Sequence, residues 1–333
     1  MMKQRRVFAQ WLSLAFVAGA TSTAPALAQS DFPNRPVKLI VSFPPGGFAD
    51  VAGRRLGEAL QQIWKQPVIV DNRPGGAGII AAQLTADSKA DGYTLFLATD
   101  GPFVINPFIY KTLSYDPLNS FDLVSMVAYT PLVLIANASM VPPKDVQSFV
   151  RYAKAQQQSG KSLDYASSGT GGPHHLSMEE FKATTGTELH QIPYKGGAPA
   201  LQDVVAGQVP VMFAALAAVL PQLKGGRIKV LGSGGPKRSV LAPDMPTIAE
   251  QGYPNFTAWS WAGVVAPKGT PPAVLMKIEA DIGKVLADPK FAESLAPSGA
   301  EPYPGGPKEF VTFIKREQAK NAKLIKSLDI KLD

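Results

Sequence analysis

The sequence predicts an α/β protein of two lobes, with parallel-rich sheets and a hinge between the lobes. Three observations carry that expectation. Short β-rich runs alternate with longer helical patterns. Several of the runs are almost continuously apolar, as strands buried on both faces of a parallel sheet are. The alternation then restarts near Pro131 and runs through a second βα series. Composition agrees, since 333 residues at 45% hydrophobic and 18% charged are enough to bury a sizeable core. The 30 Gly and 30 Pro fall at punctuation points without any repeat, which excludes low complexity.

In chain order the first series reads as a strand Val37 to Phe43, a helix Asp50 to Trp64, a strand Pro67 to Asp71, a helix Gly78 to Lys89 and a strand Thr94 to Thr99. Lys38-Leu39-Ile40-Val41 and Leu95-Phe96-Leu97-Ala98 are the nearly continuous apolar runs. The second series reads as strands at Leu132 to Ala136, Leu163 to Ala166, Leu189 to Pro193, Val209 to Ala214 and Ile228 to Ser233. Helices at Asp145 to Gln157, His174 to Thr184, Ala198 to Ala206 and Leu216 to Gly225 separate them. Trp259 to Ala266, a helix Ala273 to Ala287 and an amphipathic helix Lys308 to Ser327 complete the chain. The apolar stripe Phe310, Phe313, Ile314 and Leu324 on that last helix is expected to cover the first lobe. The expected division is 30–129 plus 257–333 for lobe 1 and 130–256 for lobe 2, with crossings near Ala128 to Thr130 and Phe256 to Ser260 acting as the hinge. The gap between lobes is the expected binding site.

Residues 1–28 read as a cleaved signal peptide. Lys3, Arg5 and Arg6 lead into the apolar stretch Trp11 to Ala20, and Ala26-Leu27-Ala28 supplies a small-x-small site with cleavage after Ala28. Thr21-Ser22-Thr23 and Pro25 interrupt the apolar stretch too early for a membrane anchor. Arg5-Arg6-Val7-Phe8 partly matches a twin-arginine signal, with Gln4 in place of the usual Ser or Thr, so either export route fits. The absence of Cys excludes a lipid-anchored leader, disulfides and thiolate chemistry. The formal net charge of +7 shrinks once the three leader cations are removed, and no basic cluster is interleaved with aromatics, so there is no case for nucleic acid.

Two glycine-rich turns carry the functional reading. Phe43-Pro44-Pro45-Gly46-Gly47-Phe48-Ala49-Asp50 runs from a strand into a helix, where unpaired first-turn N–H groups form an anion site, or else Asp50 simply caps the helix. Ser167-Ser168-Gly169-Thr170-Gly171-Gly172-Pro173-His174 repeats that arrangement in the other lobe. Two helix starts facing each other would grip a carboxylate without arginine and without a catalytic residue. Gly76-Ala77-Gly78-Ile79-Ile80-Ala81, with Asp100 at the end of the next strand, matches a dinucleotide fingerprint. Export and Pro74 weigh against it, leaving ordinary loop geometry first and a cleft-lining role second, so no cofactor is expected. No Gly-x-Ser-x-Gly, Walker or His-Glu-x-x-His signature occurs. His174 and His175 are adjacent on a helix and point about 100° apart, so neither is expected to hold a metal, and each reads as a satisfied surface or cap histidine. Phe48, Phe103, Trp259 and Trp261 are candidates to wall an apolar ligand.

Five segments together resemble a known family. They are Phe43 to Asp50, Val70-Asp71-Asn72-Arg73-Pro74-Gly75-Gly76-Ala77-Gly78, Asp91-Gly92-Tyr93-Thr94-Leu95, Tyr165 to Gly171, and Pro193-Tyr194-Lys195-Gly196. With Pro267 to Pro271 and the closing helix, they resemble the Bug-type solute receptors of tripartite tricarboxylate transporters over 33–333. The resemblance implies a type II-like periplasmic binding protein fold and a monomer that captures a small organic acid in the periplasm and delivers it to a membrane permease. It carries ligand-binding roles to Gly46, Gly47, Phe48, Asp50, Thr99, Asp100, Ser168, Gly169, Thr170 and Tyr194. Many relatives have an acid within the stretch Val211 to Ala215, where this chain has Ala214. The expected ligand is therefore a carboxylate without an ammonium, a di- or tricarboxylate or an aromatic acid, flanked by Phe48 and Phe103. The alternatives are a ligand-sensing accessory to a sensor kinase, and an exported hydrolase using Asp50 with His174.

Overall fold

The structure is a computed structural model that describes residues 32–328 and Ile330. The expected signal peptide and its cleavage site lie outside the described residues. Strand β1 (Val37–Val41) leads to helix α1 (Phe48–Trp64), β2 (Val68–Asn72), α2 (Ile79–Ala86) and β3 (Thr94–Thr99), as the first series predicts. A wide helical turn, Gly101–Ile105, and the short α3 (Asn106–Ile109) follow. Next come β4 (Phe121–Asn137), α4 (Val146–Gln158), β5 (Leu163–Ser167), α5 (Pro173–Thr185), β6 (Leu189–Pro193), α6 (Gly197–Ala206), β7 (Val211–Ala215), α7 (Leu216–Leu223) and β8 (Ile228–Ser233). The chain ends with β9 (Trp259–Pro267), α8 (Pro272–Ala287), α9 (Pro289–Leu295), β10 (Glu301–Gly305) and α10 (Pro307–Leu328).

The strands are ordered β2-β1-β3-β9-β4-β7-β5-β6, with β8 and β10 also paired to β4. The parallel pairing lies toward the ends, where β1 joins β2 and β3, and β5 joins β6 and β7. Through the middle the pairing is antiparallel, so the sheet as a whole is mixed. The reason is β4. It is 17 residues long, pairing with β9 from Phe121 to Pro131 and with β7 from Leu132 to Ala136. Only its second part is legible as an apolar run, because Asp122, Ser125, Thr130 and Pro131 interrupt the first. Pro131 is tolerated where β4 changes partner, opposite Trp259.

Both faces of the strands are covered. In β1 and β3, Leu39, Val41, Leu95 and Leu97 pack with α1, α8 and α9, while Ile40, Phe96 and Ala98 pack with α2 and α10. That two-sided burial explains the continuous apolar runs. The α10 stripe of Phe310, Phe313, Ile314 and Leu324 buries against Phe96, Phe103, Phe121 and Trp261, as expected for a helix covering the first βα series. In the second series Leu132 and Leu134 face α4 and α5, while Val133 and Ile135 face α6 and α7. No described helix is long and apolar enough to cross a membrane.

Candidate functional site

The C-terminal ends of β1 and β3 open into a cleft of about 750 Å³. From β1 the chain passes through Ser42 and the Pro44-Pro45-Gly46-Gly47 turn straight into α1. That helix begins two residues before the expected Asp50 and has Gly47 as N-cap, so Asp50 is not the cap. Gly46 sits at φ +93°, a backbone conformation that favours glycine. Val51 N–H already bonds Gly47 O at 3.0 Å, whereas the N–H groups of Phe48 and Ala49 have no intrahelical acceptor. Gly47, Phe48 and Ala49 line the cleft, so the positive end of a 17-residue helix faces it.

Asp50 is committed elsewhere. Its carboxylate accepts from Gly46 N–H at 2.9 Å, Arg54 Nε at 3.0 Å and Asn72 Nδ2 at 2.8 Å. Burial opposes ionisation there, yet these donors together hold the carboxyl below its ordinary range. Neither Asp50 nor Gly46 lines the cleft; together they shape the turn that does.

Thr99 and Asp100 line the cleft beside that helix start. Burial pushes the Asp100 carboxyl up to about 8, with the nearby Glu317 charge adding to the rise, against hydrogen bonds from Ser260 and the Trp261 backbone. At neutral pH the group is therefore a neutral acid that can donate a hydrogen bond. Among the described residues no lysine or arginine side chain lines the cleft, and the titratable side chains that do are Asp100, Tyr110 and His174. An anion held here is held by neutral donors.

The second glycine-rich turn contributes Thr170, Gly171, Gly172, Pro173 and His174. Its helix start is poorer in donors than expected. Pro173 at the first position of α5 has no N–H, and Gly171 N–H is taken by His175 Nδ1 at 3.1 Å. Ser168, Gly169 and Tyr194 are not among the cleft residues. They support the turn from behind, where Tyr194 N–H bonds Ser167 O at 3.0 Å and its hydroxyl donates to Asp203 at 2.7 Å. The structure thus brings Gly47, Phe48, Thr99, Asp100 and Thr170 to one cleft, with Gly46, Asp50, Ser168, Gly169 and Tyr194 around its supports.

Other expectations need correcting. Phe103 is fully buried against Phe96, Phe121 and Trp261 and does not line the cleft. Trp259 packs between Tyr129, Tyr303 and Phe313, away from the cleft, which Trp261 does line. Ala214 lines a second recess, and Ala215 is the neighbour that reaches the cleft. The charge argument at Ala214 therefore does not apply to the cleft itself. His175 is satisfied as a cap, but His174 is not, since its buried Nδ1 has no partner. The Gly76-Ala77-Gly78 segment is a tight turn in which Gly78 lies at φ +89° and a Cβ would meet Pro102 Cγ at 2.6 Å. Close packing on Pro102 accounts for that glycine. Ser42 and His174 were missed as cleft residues. Ser42 follows the last residue of β1 and His174 is the second residue of α5, so the signals available were strand-end position for Ser42 and helix-start position for His174.

Comparison with known proteins places this cleft in context. A family model described as the tripartite tricarboxylate transporter family receptor matches residues 52–330. The chain is 35% identical to protein BugT of Bordetella pertussis, covering 95% of this chain and 96% of that protein. It is similar in structure to R. palustris Rpa4515 with adipate, at TM-score 0.74 and 35% identity, covering 89% of this chain and 97% of the other. It is also similar to MatC from Rhodopseudomonas palustris with bound malate, at TM-score 0.70 and 27% identity, covering 88% of this chain and all (100%) of the other.

Proposed function

Because the chain belongs to the tripartite tricarboxylate transporter receptor family, we propose that it is a periplasmic receptor that captures a small organic carboxylate in the cleft and delivers it to a membrane permease. One observation carries the ligand class: the start of α1 faces a cleft lined by neutral donors, with no lysine or arginine side chain among the described residues of its wall. A helix start stabilises an anion by roughly 0.3–1 kcal/mol, up to about 2 when partly buried. Charge-assisted hydrogen bonds add about 1.5–3 kcal/mol each, so a few of them reach the roughly 8 kcal/mol of a micromolar complex. The adipate of Rpa4515 and the malate of MatC support a carboxylate of that size.

Capture requires the cleft to open. The two parts of the sheet act as lobes, 30–129 with 257–333 and 130–256. The hinge lies where β4 exchanges β9 for β7, at Pro131 opposite Trp259. The leader directs export and is removed by cleavage after Ala28. The reading involves binding alone, in keeping with a family of receptors.

The test is a thermal-shift and calorimetry panel of mono-, di- and tricarboxylates and aromatic acids on the purified protein. A ligand that binds only the folded form raises Tm by mass action. Failure of every acid in the panel to raise Tm or to give a binding isotherm would refute the ligand class, and consumption of any ligand would refute a purely binding role.

A further inference from the structure

Among the buried polar atoms that lack a hydrogen-bond partner in the protein, Ser42 Oγ, Thr99 Oγ1, Trp261 Nε1 and His174 Nδ1 all belong to residues that line the one cleft. The other three such atoms among the described residues, Gln83 Oε1, Trp259 Nε1 and Glu301 Oε1, lie elsewhere. Unpartnered buried polar groups are costly and rare in folded proteins, so four around one cavity are candidates for hydrogen bonds to a bound molecule. They come from two sides. Ser42 and Thr99, each 3% exposed, stand at the C-terminal ends of the paired strands β1 and β3, beside the start of α1. His174 enters from the first turn of α5.

The His174 ring is held in place from behind. A Cβ on Gly197, the first residue of α6, would stand 2.7 Å from its Cε1, so this backbone presses directly on the imidazole. The same ring also lines a second recess of about 610 Å³, whose other walls include Leu201, Val205, Ala214 and Ala218. His174 is thus the shared wall of two cavities, and its buried Nδ1, on the edge that faces Gly197, has no hydrogen-bond partner in the protein.

We propose that His174 is a specificity-determining residue of the cleft, hydrogen-bonding the far end of a bound acid whose near carboxylate sits on Ser42, Thr99 and the start of α1, and limiting ligand length by closing off the second recess. The inference rests on the carboxylate-receptor reading and names the residue that selects among carboxylates. Burial lowers the imidazole pKa to about 4, so the ring is neutral at pH 7 and offers one donor or one acceptor without charge. A hydroxyl, a carbonyl or a second carboxyl group on the ligand satisfies either form.

The experiment measures Kd by calorimetry for linear dicarboxylates from succinate to sebacate on the full protein and its His174→Phe, His174→Ala and His174→Asn variants. Ligand-free melting is recorded for each. His174→Phe keeps the wall and removes the hydrogen bond, and should bind the preferred acid about five- to tenfold more weakly with the same length preference. His174→Ala removes both and should shift the preference toward longer acids as the recess becomes continuous with the cleft. His174→Asn retains a polar atom close to Nδ1 and should stay within about threefold of the parent. Unchanged affinities and an unchanged length profile in the Phe and Ala variants overturn this inference and leave the receptor reading standing. A parent protein that binds none of the series, nor any other carboxylate, overturns both.

Discussion

The carboxylate of Asp50 accepts the backbone N–H of Gly46 at 2.9 Å, four residues back along the chain, and so closes the glycine turn onto the helix that follows it. Arg54 and Asn72 complete the arrangement. Arg54 bonds both Asp50 and Asn72, and Asn72 Nδ2 also reaches Phe43 O at 3.0 Å. One acid thereby ties together the end of β1, the turn, the first two turns of α1 and the end of β2. The turn presents Gly47 and Phe48 to the cleft, and its geometry is set by a residue that does not line it.

Asp50→Ala should therefore weaken carboxylate binding without removing any ligand contact. Losing charge-assisted hydrogen bonds from a side chain that is 4% exposed should cost about 1.5–3 kcal/mol of stability. It should also raise Kd about tenfold, because the α1 N–H groups are no longer held in position. Asp50→Asn keeps one acceptor and should fall between the two. Calorimetry with the best ligand, together with urea unfolding, checks both effects. A variant that loses stability but keeps its Kd would show that the turn positions nothing.

A second buried acid makes a prediction about pH and stability. Asp281, 2% exposed, accepts from Trp64 Nε1 at 2.8 Å, Lys277 Nζ at 2.9 Å and Lys284 Nζ at 2.7 Å, fastening α8 to α1. Burial works against ionisation, but the Lys284, Lys277 and Trp64 donors outweigh it and hold the carboxyl below its ordinary value. A depressed folded-state pKa contributes stability above the unfolded value of about 3.9, and that stability is lost as pH falls through the folded value. Asp281→Asn should be destabilised relative to the parent at pH 7, with the gap narrowing toward pH 3. A gap independent of pH would sink the assignment.

Asp100 works in the opposite direction. Its folded pKa of about 8 lies far above the unfolded value of about 3.9. Across that interval the folded chain keeps a proton that the unfolded chain has released, so this group makes the protein less stable as pH rises from about 4 to 8. Above 8 it also sets a negative charge beside a bound anion. The charged groups around it are Glu317, Glu180 and Lys320, which line the small pocket adjoining it. Carboxylate affinity should fall about three- to tenfold between pH 7 and pH 9. Asp100→Asn should flatten that dependence and gain stability over the parent as pH rises. Parallel profiles for the two proteins would contradict the account.

Much of this was legible in the sequence. The bounds of β3, β6 and β8 match the runs from which they were predicted, and in β3 two-sided burial leaves an uninterrupted apolar signature. The first part of β4 was not legible. Polar residues and Pro131 break its pattern, and its pairing with β9, over a hundred residues on, is a tertiary fact. The same holds for β10 and α9, too short and too rich in Pro to declare themselves. In the site, both glycine-rich turns could be read from strand-end position, but what each polar side chain does there could not. Asp50 and His174 both follow a Gly-rich turn, yet one is saturated by Gly46, Arg54 and Asn72 and the other is left unpaired. Only the partners brought by other segments separate them.

Lys320 provides the remaining prediction. From α10 its ammonium reaches Glu180 of α5 at 2.6 Å and Thr257 O at 3.0 Å, with Glu317 at 3.9 Å. Lys320 and Glu180 are mostly buried, at 26% and 17% side-chain exposure, so solvent screens the pair less than a surface contact. Asp100, Glu180 and Glu317 share one pocket, and Lys320 is the cation placed among them. Removing Lys320 leaves the Glu180 and Glu317 carboxylates facing one another, whereas removing Glu180 as well relieves that repulsion. A double-mutant cycle of Lys320→Met and Glu180→Gln should therefore show a coupling of about 1–3 kcal/mol in unfolding free energy. If the lobes part to admit ligand, this contact between α10 and α5 must loosen, so Lys320→Met should also change ligand dissociation more than association. Additivity within about 0.3 kcal/mol would mean that the pair fastens nothing.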